Sequence, residues 1–158
     1  MKILFVCTGN TCRSPMAEAI ARRLFTERGL GDVTVSSAGT SAWDGATASD
    51  GGLLVGMENG VDLGAHRARQ LTPEIVRDAD VILVMGPHHR ERVEALGGEG
   101  RTWLLTDFAS NGRTERAVSD PYGGDLELYR VTFQELEREI EKVADRLSQR
   151  APGGAGPA

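Results

Sequence analysis

The chain has 158 residues, 40% apolar and 26% charged, the make-up of one ordinary globular domain rather than of a disordered, fibrous or membrane protein. A net charge of −5, with 18 Lys and Arg scattered among 23 acids, leaves no basic footprint for nucleic acid. Two cysteines, Cys7 and Cys12, and three histidines, His66, His88 and His89, make neither a disulfide framework nor a metal-ligand set, so no metal and no cofactor is expected.

The apolar runs 3–7 and 81–85 fall far short of the roughly 18 residues a membrane span needs. Met1-Lys2 leads straight into Ile3-Leu4-Phe5-Val6, without the longer apolar region of a signal peptide. A cytoplasmic chain with no membrane partner is the expectation, and a monomer is the default.

In chain order, residues 2–6 form the first strand. Ser14-Pro15 opens a helix that runs to residue 28, where Gly29 stops it. Residues 34–37 are a second strand, 46–59 a helix ended by Gly60, 73–78 a short helix, and 79–85 a buried third strand. Residues 88–96 read as a helix stopped by Gly97-Gly98, with His88 and His89 as solvated residues on it. Residues 101–105 are a fourth strand. The last helix, 126–150, carries Tyr129, Phe133, Leu136, Ile140, Val143 and Leu147 at spacings of four and three, a core-facing stripe. The run 151–158 holds only Ala, Gly and Pro and reads as a frayed tail on a single domain of residues 1–150. Strands alternating with helices predict an α/β fold: a doubly wound, four-stranded parallel sheet of flavodoxin-like order, with helices on both faces.

The segment that carries chemistry is Cys7-Thr8-Gly9-Asn10-Thr11-Cys12-Arg13-Ser14-Pro15, between the first strand and the first helix. Ligands bind beyond the carboxyl ends of strands in such sheets. Residues 7–13 can curl so that successive backbone N–H groups converge on an anion, and the helix behind them adds the positive end of its dipole. Gly9 and Asn10 suit the curl because they tolerate left-handed backbone angles. Cys7 at the bottom of this cup is favoured as thiolate by the N–H dipoles and by the guanidinium of Arg13. Facing a phosphoryl group, that thiolate is a nucleophile. The planar fork of Arg13 grips two phosphate oxygens as a lysine could not.

This loop, with Ser37-Ala38-Gly39-Thr40 and Asp120-Pro121-Tyr122-Gly123, resembles the low-molecular-weight protein tyrosine phosphatase family over the chain up to about Leu147. The resemblance implies a metal-free phosphocysteine mechanism on phosphorylated protein substrates. Cys7 is then the nucleophile, Arg13 the phosphate clamp and Asp120 the acid and base, on a loop that Pro121 keeps extended. Thr8, Gly9, Asn10, Thr11, Cys12, Ser14 and Tyr122 are expected to bind substrate. Ser14 reads both as a donor to the Cys7 sulfur and as a plain helix cap, two roles that are compatible. His66 resembles the family histidine that braces the loop asparagine, here Asn10, and Ser37 is a further supporting residue. Trp43 is either a pocket-rim aromatic or core.

Phosphotyrosine-specific relatives carry a bulkier aliphatic residue where this chain has Thr11, and tend to place two aromatics after Asp-Pro where this chain has Tyr122-Gly123-Gly124. Those differences resemble the protein arginine phosphatase branch, which implies hydrolysis of phosphoarginine, with phosphotyrosine as the alternative. Arsenate reductases share the scaffold but need a cysteine outside the loop, and a mere phosphopeptide-binding module would lack Cys7 or Asp120. Cys12 is either a small core residue or the partner of Cys7 in a reversible, regulatory disulfide.

Overall fold

In the computed structural model, residues 1–149 are described, and within them lie β1 (Lys2–Cys7), β2 (Thr34–Gly39), β3 (Val81–Val84) and β4 (Thr102–Leu104). All pairs are parallel and the strand order is β2-β1-β3-β4, the expected flavodoxin-like arrangement. Six helices accompany them: α1 (Arg13–Glu27), α2 (Asp50–Glu58), α3 (Pro73–Asp78), α4 (Pro87–Val93), α5 (Leu105–Ser110) and α6 (Leu126–Gln149). The proposed tail, 151–158, lies outside the described residues.

Successive side chains of a strand point to opposite faces, and β1 divides its apolar residues accordingly. Ile3, Phe5 and Cys7 join a core built with α1, α2, α5 and α6, whereas Leu4 and Val6 join a smaller one with Val76 of α3 and Val93 of α4. The sheet is thus covered on both faces. The predicted stripe of α6 is buried throughout, with Phe133, Leu136, Ile140 and Val143 fully inaccessible. Each such side chain contributes roughly 1.5–3 kcal/mol by leaving water. No helix among the described residues is long and apolar enough to cross a membrane.

The structure departs from the sequence reading at several element ends. The second strand runs on to Gly39, and the third, expected over 79–85, is only Val81–Val84, because Ala79 still closes α3 by donating its N–H to the Val76 carbonyl oxygen. The helix expected over 46–59 begins only at Asp50, because Ser49 caps it by accepting from Gly52 N, while the Ala46 carbonyl oxygen is taken up by Ala68 N–H rather than by a helical turn. The strand expected to end at residue 105 stops at Leu104, and Leu105–Ser110 turns into a helix that was not anticipated. Helix α4 passes into a wide turn, Glu94–Gly98, where Gly97 takes a φ of 103°.

The register fixes where the site lies. Cys7 pairs with Gly39 and Val6 with Val84, so the carboxyl ends of β1, β2 and β3 share one edge. At that edge the connections diverge to the two sides of β1, which opens the crevice.

Candidate active site

From Cys7 the chain turns through residues 8–12 into α1. Asn10 takes the left-handed conformation at φ 56°, while Gly9, expected to share that role, does not. Asn10 is fully buried and its side chain is saturated: Oδ1 accepts from Arg69 N at 2.9 Å, and Nδ2 donates to Ser14 Oγ at 2.8 Å and to Ser37 Oγ at 2.9 Å. Ser37 in turn donates to Glu18 Oε1 at 2.5 Å. Because Asn10 gives its proton to Ser14 Oγ, the Ser14 hydroxyl proton is left for Cys7 Sγ, 2.9 Å away. Ser14 therefore acts on the sulfur and not as the helix cap; the cap position is Cys12, which makes no capping bond. His66 Nε2 donates to the Asn10 carbonyl oxygen at 2.7 Å, so it braces the loop through the backbone rather than the amide.

A tight backbone approach completes the curl. An added Cβ on Gly39 would lie 2.5 Å from the Thr8 carbonyl oxygen and 2.9 Å from Asn10 N, so only glycine lets β2 press against the loop. Nothing in the sequence of the Ser37–Thr40 run distinguishes a close approach from an ordinary strand end.

Two further contacts were not foreseen. His89, expected on a solvated helix face, is wholly buried, with Nε2 2.8 Å from Thr8 Oγ1 and Nδ1 unpartnered. Burial above all, then the nearby charges of His88 and Arg13, lowers its pKa to about 3, so the ring is neutral. Its signal was present in the sequence: His89 precedes the buried Val93 by four residues, hence lies on the same helix face. Tyr129, read only as part of the α6 stripe, places its hydroxyl 3.4 Å from Cys12 Sγ, which also lies 3.4 Å from Ser49 Oγ. Burial and the Cys12 contact push the Tyr129 hydroxyl up to about 12, so it stays protonated. Both cysteines are free thiols.

Arg13 is 5% exposed; its NH1 donates to the Val118 carbonyl oxygen at 3.1 Å and its NH2 lies 3.4 Å from Asp120 Oδ2. Asp120 also accepts from Tyr122 N at 3.1 Å. A cavity of about 360 Å³ is lined by Cys7, Thr11, Arg13, Asp120, Tyr122 and Trp43 together with Thr8, Gly9 and Cys12. The structure thus brings together the three residues expected to do the chemistry and most of those expected to bind. Asn10 and Ser14 are the exceptions: both are fully buried and neither lines the cavity, so their side chains act on the loop and the sulfur instead of on a ligand. Trp43, 83% exposed, is a rim residue and not core. Among the described residues no group of three or more His, Cys, Asp or Glu side chains is placed to hold a metal ion.

A buried sulfur, a buried guanidinium and a half-exposed carboxylate lining one cavity suit nucleophilic substitution at a tetrahedral oxyanion. The model of the family described as low molecular weight phosphotyrosine protein phosphatase matches residues 2–152. A protein-arginine-phosphatase of Geobacillus stearothermophilus is 40% identical over 148 residues, covering 92% of this chain and 95% of that protein. The low molecular weight protein-tyrosine-phosphatase PtpB of Staphylococcus haemolyticus is 37% identical over 144 residues, covering 90% and 97%. The solved YwlE arginine phosphatase with a phosphorylated active-site serine superposes with a TM-score of 0.90 at 32% identity, covering 96% of this chain and 99% of that one.

Proposed function

The chain belongs to the low molecular weight phosphotyrosine protein phosphatase family, and from that premise we propose that it dephosphorylates phosphoarginine in proteins through a phosphocysteine intermediate. The observation that carries the reading is the convergence of Cys7, Arg13 and Asp120 on one cavity. The Cys7 thiolate attacks phosphorus as the P–N bond breaks, and Asp120 delivers its proton to the departing guanidino nitrogen. Asp120, now a carboxylate, takes a proton from water as that water attacks the phosphocysteine, releasing inorganic phosphate. Arg13 holds the equatorial phosphoryl oxygens against the loop N–H groups, and the Ser14 hydroxyl supports the sulfur both as nucleophile and as leaving group. No step draws on a metal or cofactor.

The preference for arginine rests on Thr11 in the cavity wall, on the single aromatic of Tyr122-Gly123-Gly124, and on likeness to a protein named as an arginine phosphatase. The exposed rings of Trp43 and Tyr122 favour the second reading, phosphotyrosine, since both flank the same cavity. The two thiols share the cavity as well, so a peroxide that oxidises Cys7 to the sulfenic acid would let Cys12 displace water and close a disulfide.

Steady-state hydrolysis of matched phosphoarginine and phosphotyrosine peptides, with Cys7→Ser as the blank, decides the substrate. We expect phosphoarginine to be preferred and Thr11→Ile to erode the preference by roughly 10-fold or more, the scale of a one-methylene discrimination in a pocket. A parent protein that prefers phosphotyrosine overturns the arginine reading.

A further inference from the structure

Residues 111–125, between α5 and α6, carry Asp120 yet form no helix or strand. The side chain of Asp120 is half exposed, and its polar contacts among the described residues are with Arg13 and Tyr122 N, so its position is set by what fixes the backbone just before it. Two anchors do so. Val118 N donates to the Met85 carbonyl oxygen at the end of β3, and Val118 itself is buried. Ser119, the residue next to Asp120, is held by α6: its N–H and its Oγ–H both donate to Glu135 Oε1, at 3.3 and 2.9 Å, while Thr132 Oγ1 donates to the Ser119 carbonyl oxygen at 3.5 Å.

Glu135 is 7% exposed and Glu139, one turn along, 4%. Arg116 donates to both, and Lys142 Nζ lies 3.5 Å from Glu139. Arg116 is in turn pinned at its backbone by Thr106 Oγ1 of α5, which accepts from its N–H and donates to its carbonyl. Two buried carboxylates on one helix face are an expensive way to stabilise a fold, since well-packed apolar side chains often do as well. Neither lines the cavity, and the chemistry above uses neither.

Resting on the acid role given to Asp120, we infer that Glu135 is the positioning residue for it: Glu135 clasps Ser119 to α6 and thereby aims the Asp120 carboxyl at the leaving group. Arg13 depends on the other anchor, through the Val118 carbonyl, so loosening Glu135 disturbs the acid while sparing the phosphate clamp.

The leaving group tells the two apart. Phenyl phosphate needs its leaving oxygen protonated; from 2,4-dinitrophenyl phosphate the dinitrophenolate departs without a proton as the phosphoryl group passes to Cys7, and kcat/KM reports this first step for each. A positioned general acid is worth about 10²–10⁴-fold, so partial misplacement in Glu135→Leu is expected to lower kcat/KM for phenyl phosphate about tenfold, against less than about threefold for the dinitrophenyl ester. Glu135→Gln, which retains an acceptor for Ser119, restores most of the loss. In an Asp120→Asn background Glu135→Leu adds nothing further. Should Glu135→Leu fail to fold, Ser119→Ala removes one of the two donors and shows the same leaving-group split at reduced size. Equal losses on both esters, or losses that add to those of Asp120→Asn, overturn the inference. An Asp120→Asn protein with no leaving-group dependence sinks the acid assignment itself, a separate and recognisable failure.

Discussion

Replacing Asn10 by alanine is expected to cost about 4 kcal/mol of stability, a figure built from its contacts: three side-chain hydrogen bonds at about 1 kcal/mol each, and about 1 kcal/mol for an alanine held at the left-handed φ of 56°. The partners left behind are Ser14 Oγ, Ser37 Oγ and the Arg69 N–H, and the backbone N–H is the one with no second option. Asn10→Gly loses the same three bonds but not the backbone strain, so it should be less destabilised than Asn10→Ala by about 1 kcal/mol. Guanidinium unfolding at pH 7 measures both, provided the m-value is unchanged. Activity should fall in parallel, because Asn10 directs the Ser14 hydroxyl proton to Cys7. An alanine variant within about 1 kcal/mol of the parent would refute the hydrogen-bond accounting. Equal losses for alanine and glycine would refute the strain.

Gly39→Ala drives a methyl into two backbone atoms of the loop, neither of which can swing aside. It should lower the melting temperature through a strain of about 1–3 kcal/mol and depress kcat/KM on aryl phosphates, and an unaffected variant would show that the approach of β2 to the loop is slack. The neutral His89 makes stability depend on pH in a window set by its lowered pKa of about 3 against an ordinary 6.5. Below pH 6.5 the unfolded chain takes up a proton that the folded chain refuses, so His89's contribution is complete above that pH and drains as the pH falls toward 3. Its share approaches about 1.4 kcal/mol per pH unit between pH 5.5 and 4. Unfolding free energies at pH 7, 5.5 and 4.5 should therefore converge between the parent and His89→Gln as the pH drops; parallel curves would mean that His89 takes up its proton in the folded state as well.

Periodic elements and the chemistry-bearing loop were legible because their signals are local. The stripe of α6 repeats six times within one helix, and Cys7 and Arg13 bracket a short loop at a strand-to-helix junction, so neither needs distant partners to be recognised. Helix α5 was missed for the converse reason. It has six residues, it follows a strand without a break, and its cap position, Leu104, makes no side-chain capping bond. The late start of α2 depends on a backbone bond from Ser49 N to the Thr11 carbonyl oxygen, a contact across 38 residues of chain that no window over 46–59 contains.

The site itself divides along the same line. Most residues that line the cavity stand in two short runs, 7–13 and 120–122, and could be named, whereas Ser41 and Ala46, which line it beside Trp43, carry no such signal; those that hold the lining come singly from elsewhere in the chain, and each looks ordinary where it stands. Gly39 sits in a strand, His89 beside a second histidine, and Glu135 and Glu139 among the many charges of α6. What marks them is a mismatch between residue type and burial. A glycine with no room for a methyl, a neutral imidazole without solvent and two carboxylates packed under a loop each cost stability unless the surroundings compensate. Their compensating partners, Thr8, Ser119 and Arg116, belong to the two segments that present Cys7 and Asp120. Buried polar groups thus gather at the joints between the sheet, α4 and α6 and the catalytic loops, and the 2.9 Å bond from Ser14 to Cys7 depends on the same kind of joint through Asn10.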